Sequence, residues 1–356
     1  MAGHSKRSTR SQRRRRRQIR KRIGLVAGSL LVIAALAALV IQPPSFLRAS
    51  TDATPSASPR VLPTPAPVPT PVATPTPLET PVVEVNDEID KALVFVLENH
   101  SAAQIRSGAP RLSALADKFG NAPQAVAPCG HPSQPNYVCL SAGGKYLSSN
   151  QIKTLSQPDI WNNALAAGRT MKVYADNLPG SVRDRRKDIG KYAGRHVFTV
   201  PFVSTKEKAD NFVRYTVHSN TLTADVESGA LPNIGAVIPD NCHNSHDRCP
   251  GEGATQLKQA DDWIADNVQL LQGGPDWKSG RLLIIVTADE DNKNGTNDIP
   301  MIVIHPSLKN ATTDVPVDLY SVGGLLADLG HTPRLGKQRT APDFAKAFKL
   351  PIAPAS

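Results

Sequence analysis

Ala92–Leu97 reads ALVFVL, and Glu98, Asn99 and His100 follow it directly. Six apolar residues without alternation suit a strand covered on both faces. An acid, an amide and an imidazole at its end suit a binding edge. Four further runs share the pattern: MKVYA (Met171–Ala175), NIGAVI (Asn233–Ile238), LLIIVT (Leu282–Thr287) and MIVIH (Met301–His305). Each is read as a buried parallel strand. Helical patterns lie between them. QPDIWNNALAAG ends at Gly168, and STKEKADNFVRYTVHS opens with a Ser or Thr cap and an early Glu. ATQLKQADDWIADNVQLLQ sets Leu257, Trp263, Ile264, Val268 and Leu271 along one stripe. Alternating strands and helices predict an α/β fold, with a mainly parallel sheet flanked by helices.

Ligands of such sheets bind beyond the carboxyl ends of the strands. Here those ends carry Glu98-Asn99-His100, then PDNCHNSHDRC after the third run, then ADEDN after the fourth. Glu98, Asn99, Asp289 and Glu290 are hard oxygen donors, and a divalent cation would let the acids share one site. Asn99 or Ser101 read alone is a helix cap, and Asp291 to Asp298 read as a solvated loop.

Outside this domain the composition changes sharply. The chain has 356 residues and a formal charge of +10. Residues 1–22 hold eleven of the 41 basic residues and no acidic one, leaving 30 basic against 31 acidic residues elsewhere. A basic surface for nucleic acid is therefore not expected on the folded part. The uncharged run Gly24–Ile41 spans about 27 Å as a helix, close to a bilayer core. With arginines before it, it reads as a signal anchor (residues 23–42) with the N-terminus cytoplasmic and the rest extracellular. A cleaved signal peptide is the rival, although no small-x-small site follows directly. Residues 43–85 are rich in Pro and Thr, an extended spacer suited to crossing or touching a cell-wall layer. Residues 86–356 form the expected folded domain.

All four cysteines, Cys129, Cys139, Cys242 and Cys249, lie in that domain. An even count in an oxidising compartment favours disulfides, and neither spacing is the close pair of a zinc site. Local pairing, Cys129 with Cys139 and Cys242 with Cys249, is expected. The first pair encloses GHPSQPNYV, in which a helix starting near Ser133 would aim backbone N–H groups at an anion. A serine there is a cap or a nucleophile, and the residues alone favour the cap.

Taken in order, VFVLENHS, HPSQPNYVCLSAG, AVIPDNCHNSHD, ADDWIADNV and LLIIVTADED resemble the motifs of the bacterial phosphoesterases that include acid phosphatases and phospholipases C, within the alkaline-phosphatase-like superfamily. The resemblance covers roughly residues 92–329. It implies an alkaline-phosphatase-like fold and hydrolysis of a phosphate ester through a phosphoserine. It further implies Ser133 as nucleophile, with His246 and His131 beside the reaction. Asn136, His196 and Asp247 would contact substrate. Glu98, Asn99, Asp289 and Glu290 would bind a divalent cation, whether Ca, Mg, Mn or Zn. Two departures stand out. Leu319 occupies a position where relatives carry histidine, and PDN replaces the commoner PN, leaving Asp240 and Asn241 as alternatives. Leu319 keeps open a second reading, a non-catalytic wall- or lipid-binding module on the same fold. His100, His218 and His331 are expected at helix surfaces or ends, His305 is open, and Trp161, Trp263 and Trp277 are expected in packing.

Overall fold

The structure, a computed structural model, describes residues 88–249, 255–293 and 295–352. The expected tail, membrane span and spacer lie outside these residues. Among the described residues, no helix is long and apolar enough to cross a membrane.

Eight strands form one sheet: β1 (Lys91–Leu97), β2 (Gly120–Asn121), β3 (Met171–Ala175), β4 (Thr216–His218), β5 (Ile234–Ile238), β6 (Leu282–Ala288), β7 (Met301–Ile304) and β8 (Ala311–Thr312). Their order is β4-β3-β5-β1-β6-β7-β2-β8, with β1 in the middle. From β4 to β6 all neighbours are parallel. β7 then runs antiparallel to both β6 and β2. The sheet is thus mixed, and the expectation of a parallel strand at 301–305 is corrected. Only residues 289–300 join β6 to β7, with no crossover helix among the described residues, so the chain returns antiparallel. β4 was also hidden inside an expected helix: Lys206–Tyr215 is helical, capped by Thr205, and the β-branched pair Thr216–Val217 continues as strand.

β1, β5, β6 and β7 are buried along their whole length, as continuous apolar runs require when helices cover both faces. Gln256–Gly273 is one such helix, capped by the Thr255 hydroxyl and burying Ile264, Val268 and Leu271. Lys91, the one charged residue inside β1, is buried against Asp276 at 2.7 Å. The register pairs Leu97 with Ala288, so the next residues, Glu98 and Asp289, emerge side by side from adjacent central strands. Ile89 pairs with Ile352, closing the two ends of the described domain on each other.

Candidate active site

Glu98 and Asp289 are fully buried where β1 and β6 end. Asp289 N donates to Leu97 O at 3.0 Å, continuing the ladder by one step. Asn99 then turns into the left-handed region at φ 55°, which an Asn tolerates better than most residues. That turn aims its backbone N–H at Asp289 Oδ1, 3.1 Å away.

The Cys129–Cys139 disulfide closes the GHPSQPNYV loop over this pair. The Asn136 side chain braces the loop from within. Its Oδ1 accepts from Cys129 N at 3.1 Å and its Nδ2 donates to Gly130 O at 2.6 Å. Ser133 opens the helix Ser133–Ala142, but the cap residue is Pro132, which has no capping group, and the side chain that meets the first turn is Asn150, whose Oδ1 accepts from Gln134 N at 3.0 Å. The serine hydroxyl is free for another partner and donates to Glu98 Oε2 at 3.0 Å. One turn on, Tyr137 presents its hydroxyl to Glu98 Oε1 at 2.9 Å. Residues i and i+4 share a helix face, so both hydroxyls converge on one carboxylate.

The Cys242–Cys249 loop holds the backbone of the same glutamate. Glu98 N donates to Asn244 O at 2.8 Å, and Ser245 Oγ donates to Glu98 O at 2.9 Å. Asn244 Oδ1 accepts from His246 N at 2.8 Å, which turns its Nδ2 toward His196 Nδ1 at 3.2 Å. The neutral His196 ring therefore carries its proton on Nε2. That atom lies 3.0 Å from Glu98 Oε1, although not in line for a hydrogen bond. The ring stacks on Tyr137, with centroids 5.3 Å apart. His131 lies between two acids, with Nδ1 at 3.1 Å from Glu290 Oε2, although not in line for a hydrogen bond, and Nε2 at 3.2 Å from Asp291 Oδ1. His246 Nδ1 lies 2.7 Å from Asp247 Oδ1 on a more exposed rim.

Ser133, Glu98, Asp289, Glu290, His131 and His196 are thus gathered, with Asn136 bracing their loop. Three contributors were missed. Tyr137 was visible as the last letter of HPSQPNY. Asp291 was assigned to the solvated loop but is buried and faces His131. Asn244 carried no sequence signal apart from its loop. His100 is more than a helix-end residue: its Nδ1 lies 2.8 Å from Glu98 O and 3.1 Å from Ser245 Oγ. His305 is structural, held by Gly280 O at 2.7 Å. Leu319 is buried at the start of the helix Leu319–Leu329, whose cap is Asp318.

The acids do not sit together at ease. Burial opposes ionisation of Glu98, yet His196, the Tyr137 hydroxyl and Arg195 hold it at about 2. Burial pushes His196 itself below its ordinary value, against the pull of Glu98. Asp289 is pushed well above the carboxylate range by burial, then by Glu98 and Glu290. Glu290 is raised by burial against the pull of His131. Asp289 Oδ2, Glu290 Oε2, His131 Nδ1 and His196 Nε2 are buried without a hydrogen-bond partner. Buried acids with unpaired oxygens and raised proton affinity fit a divalent cation.

A second cluster lies nearby. Asp176, Asp240 and His243 follow β3 and β5, and their ligand atoms lie within 4.8 Å of one another, close enough for a metal ion. The protein already partners these atoms. His243 Nδ1 lies 2.9 Å from Asp176 and 3.1 Å from Asp240, while Asn177 Nδ2 donates to Asp240 Oδ2 at 2.7 Å. Asp240 is therefore committed to His243 and Asn177, while Asn241 Oδ1 accepts from Asn244 Nδ2 at 3.4 Å.

A family model described as "Phosphoesterase family" matches residues 94–322. A Mycobacterium tuberculosis protein named phosphatidylinositol-3-phosphatase is 28% identical over 256 residues, covering 70% of this chain and 80% of its own. Similar solved structures include an alkaline phosphatase superfamily protein from Vibrio parahaemolyticus, 15% identical with a TM-score of 0.47, covering 73% of this chain and 72% of that one. The lipoteichoic acid synthase LtaP from Listeria monocytogenes is 9% identical with a TM-score of 0.46, covering 75% and 78%.

Proposed function

Because the chain belongs to the phosphoesterase family and is a phosphoric ester hydrolase, we propose that it cleaves a phosphomonoester at Ser133 beside a divalent cation. The observation that carries this reading is the Ser133 hydroxyl. It sits at a helix start without serving as a cap, and it points 3.0 Å from the buried Glu98 among acids with unpaired oxygens.

Glu98, Asn99, Asp289 and Glu290 would hold the cation. When bound, it would favour the serine alkoxide and screen phosphate charge. Glu98, held at about 2, is too weak a base to take the serine proton. Its part is to orient Oγ. With the cation bound, the Ser133 hydroxyl would lose its proton to solvent water, and Oγ would bond to phosphorus as the ester P–O bond breaks, with His246 giving a proton to the leaving oxygen. Water would then attack the phosphoserine, giving one proton to His246 and its hydroxyl to phosphorus, as Ser133 leaves as the alkoxide ready for the next turnover. Asp247 beside Nδ1 would keep His246 Nε2 turned to this work. His131 would fix Glu290 and Asp291, and Asn136 would fix the loop that carries the serine. The helix N-terminus would favour the bound phosphate. His196 and Asp247 would line the phosphate side of the site.

The Mycobacterium relative is named for a lipid-borne monoester, which supports a monoester over a diester here. The basic tail, apolar run and Pro-rich spacer support an anchored enzyme with its domain outside the cell, near wall and membrane. Protease added to intact wall-opened cells should then remove the domain, and full protection would refute that topology. A non-catalytic module is the weaker reading for a family of hydrolases. Chelation of the full-length protein should stop turnover of a chromogenic phosphomonoester, and a divalent cation should restore it. Turnover untouched by chelation would remove the cation from this account.

A further inference from the structure

We propose that residues 181–191 are a docking loop that lays the Ser133 cleft against an anionic phospholipid surface. Four large apolar side chains are markedly exposed among the described residues, and two of them, Val182 (47%) and Ile189 (41%), lie in this loop. Single exposed apolar residues are ordinary on protein surfaces. The setting of these two is what differs.

The loop is basic: Arg183, Arg185, Arg186, Lys187 and Lys191 stand against Asp184 and Asp188. Some of this charge is structural. Arg185 is held by the carbonyls of Pro179, Val213 and Thr216, Arg186 bonds Thr154 Oγ1 at 3.1 Å, and Asp188 pairs with Arg195. Arg183 and Lys187 are exposed and make no ion pair among the described residues. Ile189 is not displayed by a slack loop. It exchanges backbone hydrogen bonds of 3.1 and 3.0 Å with Tyr192, which is buried and donates its hydroxyl to Arg185 O. A Cβ placed on Gly180 or Gly190 would meet nothing within 4 Å, so both loop ends face open space.

The loop also borders the cleft. Lys187 packs its backbone on Gly194, where a Cβ would lie 2.5 Å from Lys187 O, and His196 is two residues further. Lys191 O accepts from Asn241 N at 2.8 Å, in the loop that carries His246. Across the site, Lys145 Nζ lies 3.8 Å from the Cβ position of Gly130, and Tyr146 beside it is a third exposed apolar residue (44%).

Two apolar side chains are too small a patch for a stable protein–protein interface. They suit shallow insertion at a bilayer boundary, with the neighbouring basic groups paired to anionic head groups. A soluble phosphate ester would use the charges but not Val182 or Ile189. The docking does not depend on the chemistry assigned to Ser133.

The test uses full-length protein reconstituted into phosphatidylcholine vesicles, with or without phosphatidylserine, plus brominated phosphatidylcholine as quencher. Ile189→Trp reports contact, and the parent chain supplies the background of Trp161, Trp263 and Trp277. The added emission of the Ile189→Trp variant should be quenched in phosphatidylserine vesicles at low salt. It should escape quenching in neutral vesicles, at high salt, or with Arg183→Ser and Lys187→Ser added. The serine pair should also lower kcat/KM for a vesicle-borne phosphomonoester by about tenfold or more and leave that for a soluble ester unchanged. Equal quenching in neutral vesicles, or none in anionic ones, overturns the proposal. So does a blue-shifted emission from the Ile189→Trp variant that lipid cannot quench, because a second copy or another segment of the chain would then cover the loop.

Discussion

His243→Gln is the most quantitative perturbation that the structure offers. The His243 ring joins Asp176 beyond β3 to Asp240 beyond β5, and it stacks on Trp263 of the helix Gln256–Gly273 at 5.4 Å. Burial alone would lower its pKa. The two acids more than reverse this and raise it from 6.5 to about 9. A raised histidine stabilises the fold fully below its unfolded value, and the stability is lost as pH rises through the folded one. Between pH 6.5 and about 9 the unfolded chain has lost this proton while the folded chain keeps it. Stability should therefore fall by at most about 1.4 kcal/mol per pH unit, and solvent screening of this half-buried ring brings the total to about 2 kcal/mol. Glutamine keeps one hydrogen bond but no charge, so the variant should be less stable at pH 6 and lack this alkaline slope. Denaturant unfolding of both proteins between pH 6 and 10 measures the difference. Parallel stability curves for parent and variant would refute the ion-pair reasoning.

Three further outcomes follow from the central site. Asp289 and Glu290 have raised proton affinity, so without cation their folded-state stability is greatest at low pH and declines as pH rises through their raised pKa values. Cation affinity should accordingly strengthen with pH, and Asp289→Asn should weaken it; calorimetric titration at two pH values checks both. Glu98 behaves oppositely, contributing stability above its usual value near 4.5 that is lost as pH falls toward about 2, so Glu98→Gln should flatten the acid limb of a thermal-melt profile. Tyr137→Phe removes a hydroxyl from a buried carboxylate and should cost about 1–3 kcal/mol by denaturant unfolding, with Glu98 easier to protonate.

Much of this fold was legible because buried central strands are continuous apolar runs. Ala92–Leu97 and Leu282–Thr287 could hardly be anything else, and their register brings Glu98 beside Asp289. Strand direction was not legible at Met301–Ile304, since a strand covered on both faces has the same composition either way. The short, helix-free stretch 289–300 was the available clue. Strands of two or three residues, such as Gly120–Asn121 and Thr216–His218, carry too little pattern to stand out. In the site, the strand-end acids stood out by residue type and place, whereas Ser133 read alone is a helix cap and drew notice through the resemblance of its loop. Tyr137 required the helix register, Asp291 required the orientation of the His131 ring, and the Asp176–Asp240–His243 cluster required two strand ends to meet.

The central claim is that Ser133 carries the phosphoryl group during turnover. The most direct measurement is a rapid acid quench of the full-length, cation-loaded protein mixed with phosphorus-labelled monoester, followed by peptide mapping. The account predicts label on the peptide containing Ser133, and none on Ser133→Ala, which should still fold, at a stability cost like that of Tyr137→Phe because the hydroxyl donates to the same carboxylate, and lose turnover mainly through kcat. Wild-type turnover in Ser133→Ala, or label that maps to any other residue, would contradict it.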